Sequence, residues 1–241
     1  MKLTKLSIVI PVYNEAATVR LILDKIKATQ LIQNIEKEFV IVDDGSQDDS
    51  KKIVQSFIEE NPSVDIMFYE HSKNQGKGAS IQTGISKATG EFLIIQDADL
   101  EYNPEEYNLL LKPVIGNVAD VVYGSRFIDK QAKHTSYFWH YRANKFLTFL
   151  SNLFSNLKLT DMETCYKLFN TKMIQSITLT EKRFGFEPEI TAKISRIKDI
   201  RVHEVGISYY SRPYDEGKKI GWKDGVRAIY CILKYGLFRM N

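Results

Sequence analysis

Four short apolar runs alternate with helix-like segments in the first half of the chain, and this alternation strongly constrains the fold. The runs read LSIVIPVY, EFVIVDDG, VDIMFYEH and EFLIIQDAD. Strands that are apolar at nearly every position are typical of a parallel sheet whose two faces are both covered by helices. We therefore predict an α/β fold with a mostly parallel central sheet and helices on both faces. In such sheets, ligands bind beyond the carboxyl ends of the strands.

The segments between the runs are predicted to be helices. AATVRLILDKIKATQ carries apolar residues at helical spacing, namely Val19, Ile22, Leu23 and Ile26. SQDDSKKIVQSFIEEN and GKGASIQTGISKATG are also predicted to be helices, the first with an N-cap among Ser46, Asp48 and Asp49. In the second half, DVVYGSRF is predicted to be a strand and FWHYRANKFLTFLSNLFSNL a helix or helix pair. KDIRVHEVGISYYSRP is predicted to be a strand pair or a bent strand, and WKDGVRAIYCILKYGLFRM an amphipathic helix.

Three carboxylates follow the fourth run, at Asp97, Asp99 and Glu101. Alternate residues of an extended chain point the same way, so the three are expected to converge. Crowded carboxylates repel one another unless a cation joins them, and hard oxygen ligands suit Mg²⁺ or Mn²⁺. The alternative is a capped turn before a helix that begins near Pro104. An EF-hand calcium loop fits poorly, because its sixth position requires glycine and is Tyr102 here.

Three more motifs stand at the expected binding edge. Asp43 and Asp44 close the second run, where an acid can accept hydrogen bonds from a nucleotide; the alternative is that the cluster only caps the next helix, through Ser46 and Asp48. PVYNE offers an aromatic face at Tyr13 and a carboxylate at Glu15. Lys77 stands between two glycines in NQGKG, where it either reaches a diphosphate or stays solvated.

The order of these motifs, PVYNE, VDDGS, NQGKG, DADLE and GSR, resembles that of the family 2 inverting glycosyltransferases of the GT-A fold, from Leu6 to about Phe127. In the second half, TDMETCYKLFN, FGFEPEI, VHEVGISYYSR and EGKKIGWKDG are similar to the dolichyl- and polyprenyl-phosphate sugar transferases, the dolichol-phosphate mannose synthase group. The resemblance implies a single Rossmann-like GT-A domain over residues 1–241. Residues 1–127 would bind the nucleotide sugar, and residues 128–241 would bind the acceptor and end in a basic amphipathic helix.

The resemblance also implies roles for individual residues. Those that match nucleotide-binding positions are Pro11, Tyr13, Glu15, Val42 and Asp44. Asp97 and Ala98 match contacts to the nucleotide sugar. Asp99 and Glu101 match the metal ligands, although the family often has glutamine where Glu101 stands. Four basic residues match groups near the acceptor phosphate, namely Arg126, Arg212, Lys218 and Lys219. Together with Asp97 and Asp99 they make up the predicted catalytic set.

The resemblance implies transfer of mannose or glucose from GDP-mannose or UDP-glucose to a polyprenyl or dolichyl phosphate, with Mg²⁺ or Mn²⁺ as cofactor. Such an acceptor is already anionic near neutral pH and needs positioning rather than a general base. One alternative is a transferase of the same fold that acts on a saccharide hydroxyl in cell-surface polysaccharide or glycolipid synthesis. Others are a silent nucleotide-sugar-binding module and a dehydrogenase, although no Gly-x-Gly-x-x-Gly follows the first run.

Composition bears on partners and location. A net charge of +3 over 241 residues gives no indication of nucleic acid as a partner, and two isolated cysteines favour a reducing compartment. From Arg201 onward there are eight lysines and arginines against four acids. The stripe from Phe146 to Leu157 faces either the core or a lipid surface. With no run near the roughly 18 apolar residues of a membrane span, these features predict a cytoplasmic protein that binds the membrane peripherally.

Overall fold

The computed structural model describes residues 3–128, 138–211 and 222–238. These residues form a seven-stranded sheet in the order β3-β2-β1-β4-β6-β5-β7. Its strands are β1 (Lys5–Val12), β2 (Glu36–Asp43), β3 (Asp65–Glu70), β4 (Phe92–Ile95), β5 (Val121–Ser125), β6 (Lys167–Asn170) and β7 (Val202–Gly206). Strand β6 runs antiparallel to β4 and β5, whereas the other neighbouring pairs are parallel. The predicted α/β fold with a mostly parallel sheet is confirmed.

Helices connect and cover these strands. Their bounds are α1 (Val19–Ala28), α2 (Ser50–Glu60), α3 (Lys77–Lys87), α4 (Tyr107–Ile115), α5 (Phe138–Ser155), α6 (Thr171–Gln175), α7 (Phe186–Ile194) and α8 (Trp222–Leu237). Helix α3 packs on β1 and β2, α4 packs on β5, and α5, α7 and α8 pack on one another. The buried residues of α1 are the four that the spacing predicted: Val19, Ile22, Leu23 and Ile26.

The second half contains one strand that the sequence did not predict, and it decides between the predicted alternatives at two other segments. Strand β6 was not predicted, because KLFN is too short to show a period and is buried by the strands on either side of it. KDIRVHEVGISYYSRP forms one strand, β7, paired with β5, rather than a strand pair. FWHYRANKFLTFLSNLFSNL contains one helix, α5, and not two.

Helix α5 buries only one side of its apolar stripe. Leu147 lies in the core, and Leu150 and Phe154 pack against it. Phe149 and Leu153 are 65% and 66% exposed. Helix α8, which packs beside α5, also exposes large apolar side chains, namely Val226, Tyr230, Leu233 and Leu237. Part of the stripe therefore faces the core and part is exposed, and contact of the exposed part with lipid stays a prediction. Within the described ranges, no helix is both long and apolar enough to cross a membrane.

Close packing of α3 on β1 leads to a stability prediction. A Cβ on Gly84 would lie 2.3 Å from Cγ1 of Val9 in the central strand, which has no room to move. We expect Gly84→Ala to lower the free energy of unfolding by about 1–3 kcal/mol through overpacking. Gly225 in α8 has no atom within 4 Å of the same position. Gly225→Ala should raise the free energy of unfolding by about 0.5–1 kcal/mol, since alanine favours the helix. Urea denaturation of both variants measures the difference, and equal shifts would contradict the packing argument.

Candidate active site

A cavity of about 330 Å³ opens at the carboxyl ends of β1, β2 and β4, the edge predicted from the strand pattern. Residues from both halves of the chain line it. From the first half these are Pro11, Val12, Tyr13, Glu15, Asp44, Asn74, Gly76, Lys77, Ser80, Asp97, Ala98, Asp99 and Glu101, and from the second half Arg183, Phe184 and Tyr209.

The turns that follow β1 and β2 are hydrogen-bonded to each other. The Asn14 amide donates to Ser46 Oγ at 3.0 Å, and the Gln47 amide donates back to Asn14 Oδ1 at 2.8 Å. The Ala16 amide donates to Asp48 at 3.0 Å. Asn14 has a φ of 51°, a left-handed conformation that asparagine tolerates. PVYNE and DDGSQDD therefore form a single wall of the cavity.

Asp44 is almost completely buried and binds the loop that precedes α3. Its carboxylate accepts the Gln75 amide at 3.0 Å and the Gly76 amide at 2.7 Å. His71 Nδ1 lies 2.7 Å from Asp44 Oδ1. The capping considered for this cluster involves Asp48, whose Oδ1 accepts the Ser50 amide at 3.0 Å at the start of α2. Asp44 instead fixes the position of Gly76 and the start of α3 on the cavity wall. His71 was not expected at the site, since no pattern in the sequence pairs it with Asp44.

The acidic segment after β4 is a turn, and this corrects one prediction. Strand β4 ends at Ile95, Leu100 has a φ of 63°, and Asp99 Oδ1 accepts the Glu101 amide at 3.1 Å. The three carboxylates reach the cavity because the chain turns, not because it is extended. Asp97 lies 2.8 Å from Lys77 Nζ. No three His, Cys, Asp or Glu side chains in the described part of the chain are grouped as a metal site. The metal-ligand role of Asp99 and Glu101 stays a prediction.

Lys77 and Cys165 extend the contacts of Asp97. Burial disfavours the charge of Lys77, but the Asp97 carboxylate outweighs it and raises the pKa of the ammonium well above its ordinary value. The Cys165 thiol lies 3.6 Å from Lys77 Nζ. Burial, together with Asp97, raises the pKa of this thiol, so it stays protonated at neutral pH. Both cysteines are buried free thiols.

Tyr209 connects the acidic turn to Arg126. Its hydroxyl donates to Glu101 Oε2 at 2.7 Å, and the Arg126 guanidinium lies over its ring at 5.0 Å. Arg126 also donates two side-chain hydrogen bonds to the buried Asp161, at 2.6 and 2.7 Å. Burial opposes the Arg126 charge, but Asp161 outweighs it and raises the guanidinium pKa. Arg126 itself does not line the cavity.

Other predicted residues lie elsewhere or outside the described ranges. Val42 is fully buried in β2, in register with Pro11 and Tyr69, and does not line the cavity. Arg212, Lys218 and Lys219 fall in 212–221, outside the described residues. The remaining predicted residues line the cavity. Those that sequence reasoning missed include Ser80, Arg183, Phe184 and Tyr209. Phe184 lies in FGFEPEI and Tyr209 in VHEVGISYYSR, two motifs that were singled out only through the family resemblance.

A second charged cluster lies behind Arg126. Lys167 is fully buried and forms an ion pair with Glu187. Oε1 of Glu163 is buried without a hydrogen-bond partner in the described chain. Burial, and then the charge of Glu187, raise the pKa of Glu163 to about 7. Glu163 therefore changes charge near neutral pH.

Comparison with known proteins identifies the family. The model of glycosyl transferase family 2 matches residues 7–178. The chain belongs to glycosyltransferase family 2. The match includes the acidic turn, Lys77 and Arg126, but ends before Arg183 and Tyr209, so this assignment does not extend to the whole cavity wall.

Two similar proteins have names that describe transfer of a sugar to a prenyl phosphate. The undecaprenyl-phosphate 4-deoxy-4-formamido-L-arabinose transferase of Proteus mirabilis is 27% identical over 221 residues, which cover 90% of this chain and 63% of the relative. The dolichyl-phosphate beta-glucosyltransferase of Dictyostelium discoideum is 27% identical over 219 residues, which cover 85% and 66%. The family 2 chain therefore spans less than two thirds of the length of either relative.

Solved structures confirm the GT-A fold. Glucosyl-3-phosphoglycerate synthase from Mycobacterium tuberculosis, crystallised with Mn²⁺, UDP and phosphoglyceric acid, superposes with a TM-score of 0.71 at 17% identity. The superposition covers 97% of this chain and 78% of that one. At this identity the likeness supports the fold alone.

The raised pKa of Glu163 predicts how stability depends on pH. Because the folded state holds this proton up to about pH 7 and an unfolded glutamate releases it near pH 4.3, the folded state binds more protons between these values. The contribution to the free energy of unfolding is then full below this window and falls as pH rises through it, by at most about 4 kcal/mol. Glu163→Gln should flatten that fall between pH 5 and 7. Urea denaturation across this range measures it, with Glu59→Gln on the exposed end of α2 as the control.

Proposed function

We propose that this chain transfers a hexose from a nucleotide sugar to a polyprenyl or dolichyl phosphate. The observation that carries the proposal is the cavity itself, in which the turns after β1, β2 and β4 meet a tyrosine that touches both Glu101 and Arg126. One end of this arrangement suits a nucleotide diphosphate and the other an anionic acceptor. The family assignment and the prenyl-phosphate relatives support the same reaction.

Asp99 and Glu101 fit a divalent cation. Mg²⁺ and Mn²⁺ prefer oxygen ligands, and Mg²⁺ is commonly held by one or two carboxylates together with substrate phosphates. Two carboxylates on the cavity wall meet that requirement. A bound ion would offset the charge that develops on the leaving diphosphate. Tyr209, by donating to Glu101 Oε2, fixes the direction of the other carboxylate oxygen.

The donor is proposed to lie along the wall formed by Pro11, Tyr13, Glu15 and Asp44, with its sugar near Asp97 and Ala98. Val42 would contribute only from beneath, through the strand that carries Asp44. Asp97 and Lys77 are bound to each other and hold a fixed orientation beside the sugar. GDP-mannose and UDP-glucose are the proposed donors, and they differ in both base and sugar.

The acceptor phosphate is proposed to bind at Arg126, together with Arg212, Lys218 and Lys219. Asp161 takes two of the five N–H donors of the Arg126 guanidinium, so others remain for a phosphate. A phosphate monoester near neutral pH is its own nucleophile once it is held in line with the anomeric carbon. Cys165 is no competing nucleophile, since its raised pKa keeps it as a thiol.

A prenyl acceptor resides in a membrane, and we propose that α5 and α8 meet its surface. Both helices expose large apolar side chains, and α8 also carries basic residues. Apolar burial and attraction to anionic lipids together give stable peripheral binding where either alone is weak.

The first test follows radiolabelled sugar from GDP-mannose or UDP-glucose into an organic-extractable product, with polyprenyl phosphate as acceptor and Mn²⁺ present. We expect the wild type to make a lipid-linked sugar, and Asp99→Asn or excess EDTA to reduce turnover by about 100-fold or more, because a metal ligand is lost. Glu59→Gln, which removes an acid remote from the cavity, should be unaffected. A water-soluble product formed only with saccharide acceptors would replace the proposed acceptor. Undiminished activity in EDTA would refute the metal assignment.

The second test is flotation with anionic liposomes at low salt. We expect the wild type to float and to be released as salt screens the charges. The double substitution Phe149→Ser and Leu153→Ser should reduce the floated fraction severalfold, since both side chains are exposed on α5. Leu21→Ser with Val118→Ser removes two exposed apolar side chains elsewhere and is the matched control. Equal losses in both doubles, or no flotation of the wild type, would contradict the proposed surface.

A further inference from the structure

Arg183 is a cation on the cavity wall that forms no ion pair with an acid in the described part of the chain. It lies in the segment EKRFG, residues 181–185, between α6 and α7. The side chain is exposed and lines the cavity. Within the described residues, its guanidinium forms no ion pair and donates no hydrogen bond, whereas the other lysine or arginine of the lining, Lys77, is bound to Asp97.

The charge of the cavity wall calls for such a cation. Among the described residues that line it, five are acids, namely Glu15, Asp44, Asp97, Asp99 and Glu101, and two are bases, Lys77 and Arg183, so this part of the wall has a formal net charge of −3. A divalent ion would leave −1, and a nucleoside diphosphate brings two or three further negative charges. Because Lys77 is already paired, Arg183 is the side chain of the described wall best able to take up the added charge.

The position of Arg183 also favours an anion between it and α3. The backbone of 181–183 packs directly on the glycines that begin this helix: a Cβ on Gly76 would lie 2.4 Å from the Lys182 carbonyl oxygen and 2.8 Å from Arg183 Cγ. The Ala79 amide donates to the same carbonyl at 3.1 Å. Arg183 therefore lies beside the N-terminus of an 11-residue helix, where the helix dipole and the guanidinium would both stabilise a bound anion.

The loop is held in place from its far side as well. Glu181 is buried and binds three groups of α8: Arg227 at 2.7 Å, the Tyr235 hydroxyl at 2.9 Å and Lys234 at 3.4 Å. Its backbone carbonyl accepts Gln82 Nε2 of α3 at 2.9 Å. Arg183 is thus carried by a segment anchored to two helices, so its stem is placed before a ligand arrives.

We propose that Arg183 binds the diphosphate of the nucleotide sugar, on the side of the cavity formed by α3. The inference rests on the proposed function and adds to it a donor-binding residue that lies beyond the part of the chain matched to the family. A guanidinium offers two parallel N–H donors to phosphate oxygens, so it fixes the angle of the leaving group as well as its charge.

The experiment measures calorimetric dissociation constants for UDP and GDP in Mn²⁺ with the wild type, and continues with the tighter ligand and its monophosphate. We expect Arg183→Ala to weaken binding of the diphosphate by about 10- to 100-fold and of the monophosphate by less than about threefold. Lys182→Ala removes the same charge from the neighbouring exposed residue, which does not line the cavity, and should bind both ligands like the wild type. Melting temperatures of all three proteins should agree, since both side chains are exposed.

Five results would overturn the inference. If Arg183→Ala binds the diphosphate as tightly as the wild type, Arg183 is not a diphosphate ligand, and the proposed function is unaffected. An equal loss in Lys182→Ala shows a general charge effect, and an equal loss for the monophosphate shows that Arg183 does not read the diphosphate. A change confined to the KM for a prenyl phosphate assigns Arg183 to the acceptor. If the wild type binds neither diphosphate, the donor assignment falls and the inference falls with it.

Discussion

The parallel pairing of β1 with both of its neighbours determines where chemistry can occur in this molecule. Strand β1 is in register with β2 over eight residues and with β4 over four. The strands are apolar and buried, so polar side chains that need to meet a ligand are confined to the strand ends. Because the three strands run the same way, their ends open at one edge. PVYNE, DDGS and DADLE, far apart in sequence, become walls of the same cavity.

Charged and hydrogen-bonded contacts from both halves of the chain orient the side chains at this edge. Asp44 binds the start of α3, Asp97 holds Lys77, and Tyr209 reaches from beyond β7 to Glu101. Asp44, Asp97 and Glu101 therefore have defined orientations before any ligand binds. The antiparallel strand β6 brings Asp161 against Arg126, and the loop anchored by Glu181 brings Arg183 against α3. The cavity is thus acidic at the turn after β4 and basic at its two flanks.

Long periodic elements and strand-end motifs were predictable from the sequence because their signals are local. The burial of α1 at Val19, Ile22, Leu23 and Ile26 follows directly from helical spacing. The edge on which the site lies follows from strand polarity alone. Strand β6 was not predictable, because four apolar residues carry no period and owe their strand form to β4 and β5. The position of the acidic segment was predicted correctly, but the segment was predicted to be extended. Its turn was missed because no sequence pattern indicates the positive φ of Leu100.

The sequence by itself determined the fold class, the family and the residues after β1, β2 and β4 that line the cavity, because each depends on order and spacing along the chain. The tertiary structure decided which charges are paired. Lys77 with Asp97, His71 with Asp44, Arg126 with Asp161 and Glu181 with α8 are contacts between residues 20 to 54 positions apart. Among the described residues, it gave Arg183 beside α3 no acid to pair with. Pairings of this kind depend on how separate strands, loops and helices pack against one another, and no local pattern of residues encodes a distance between two such segments.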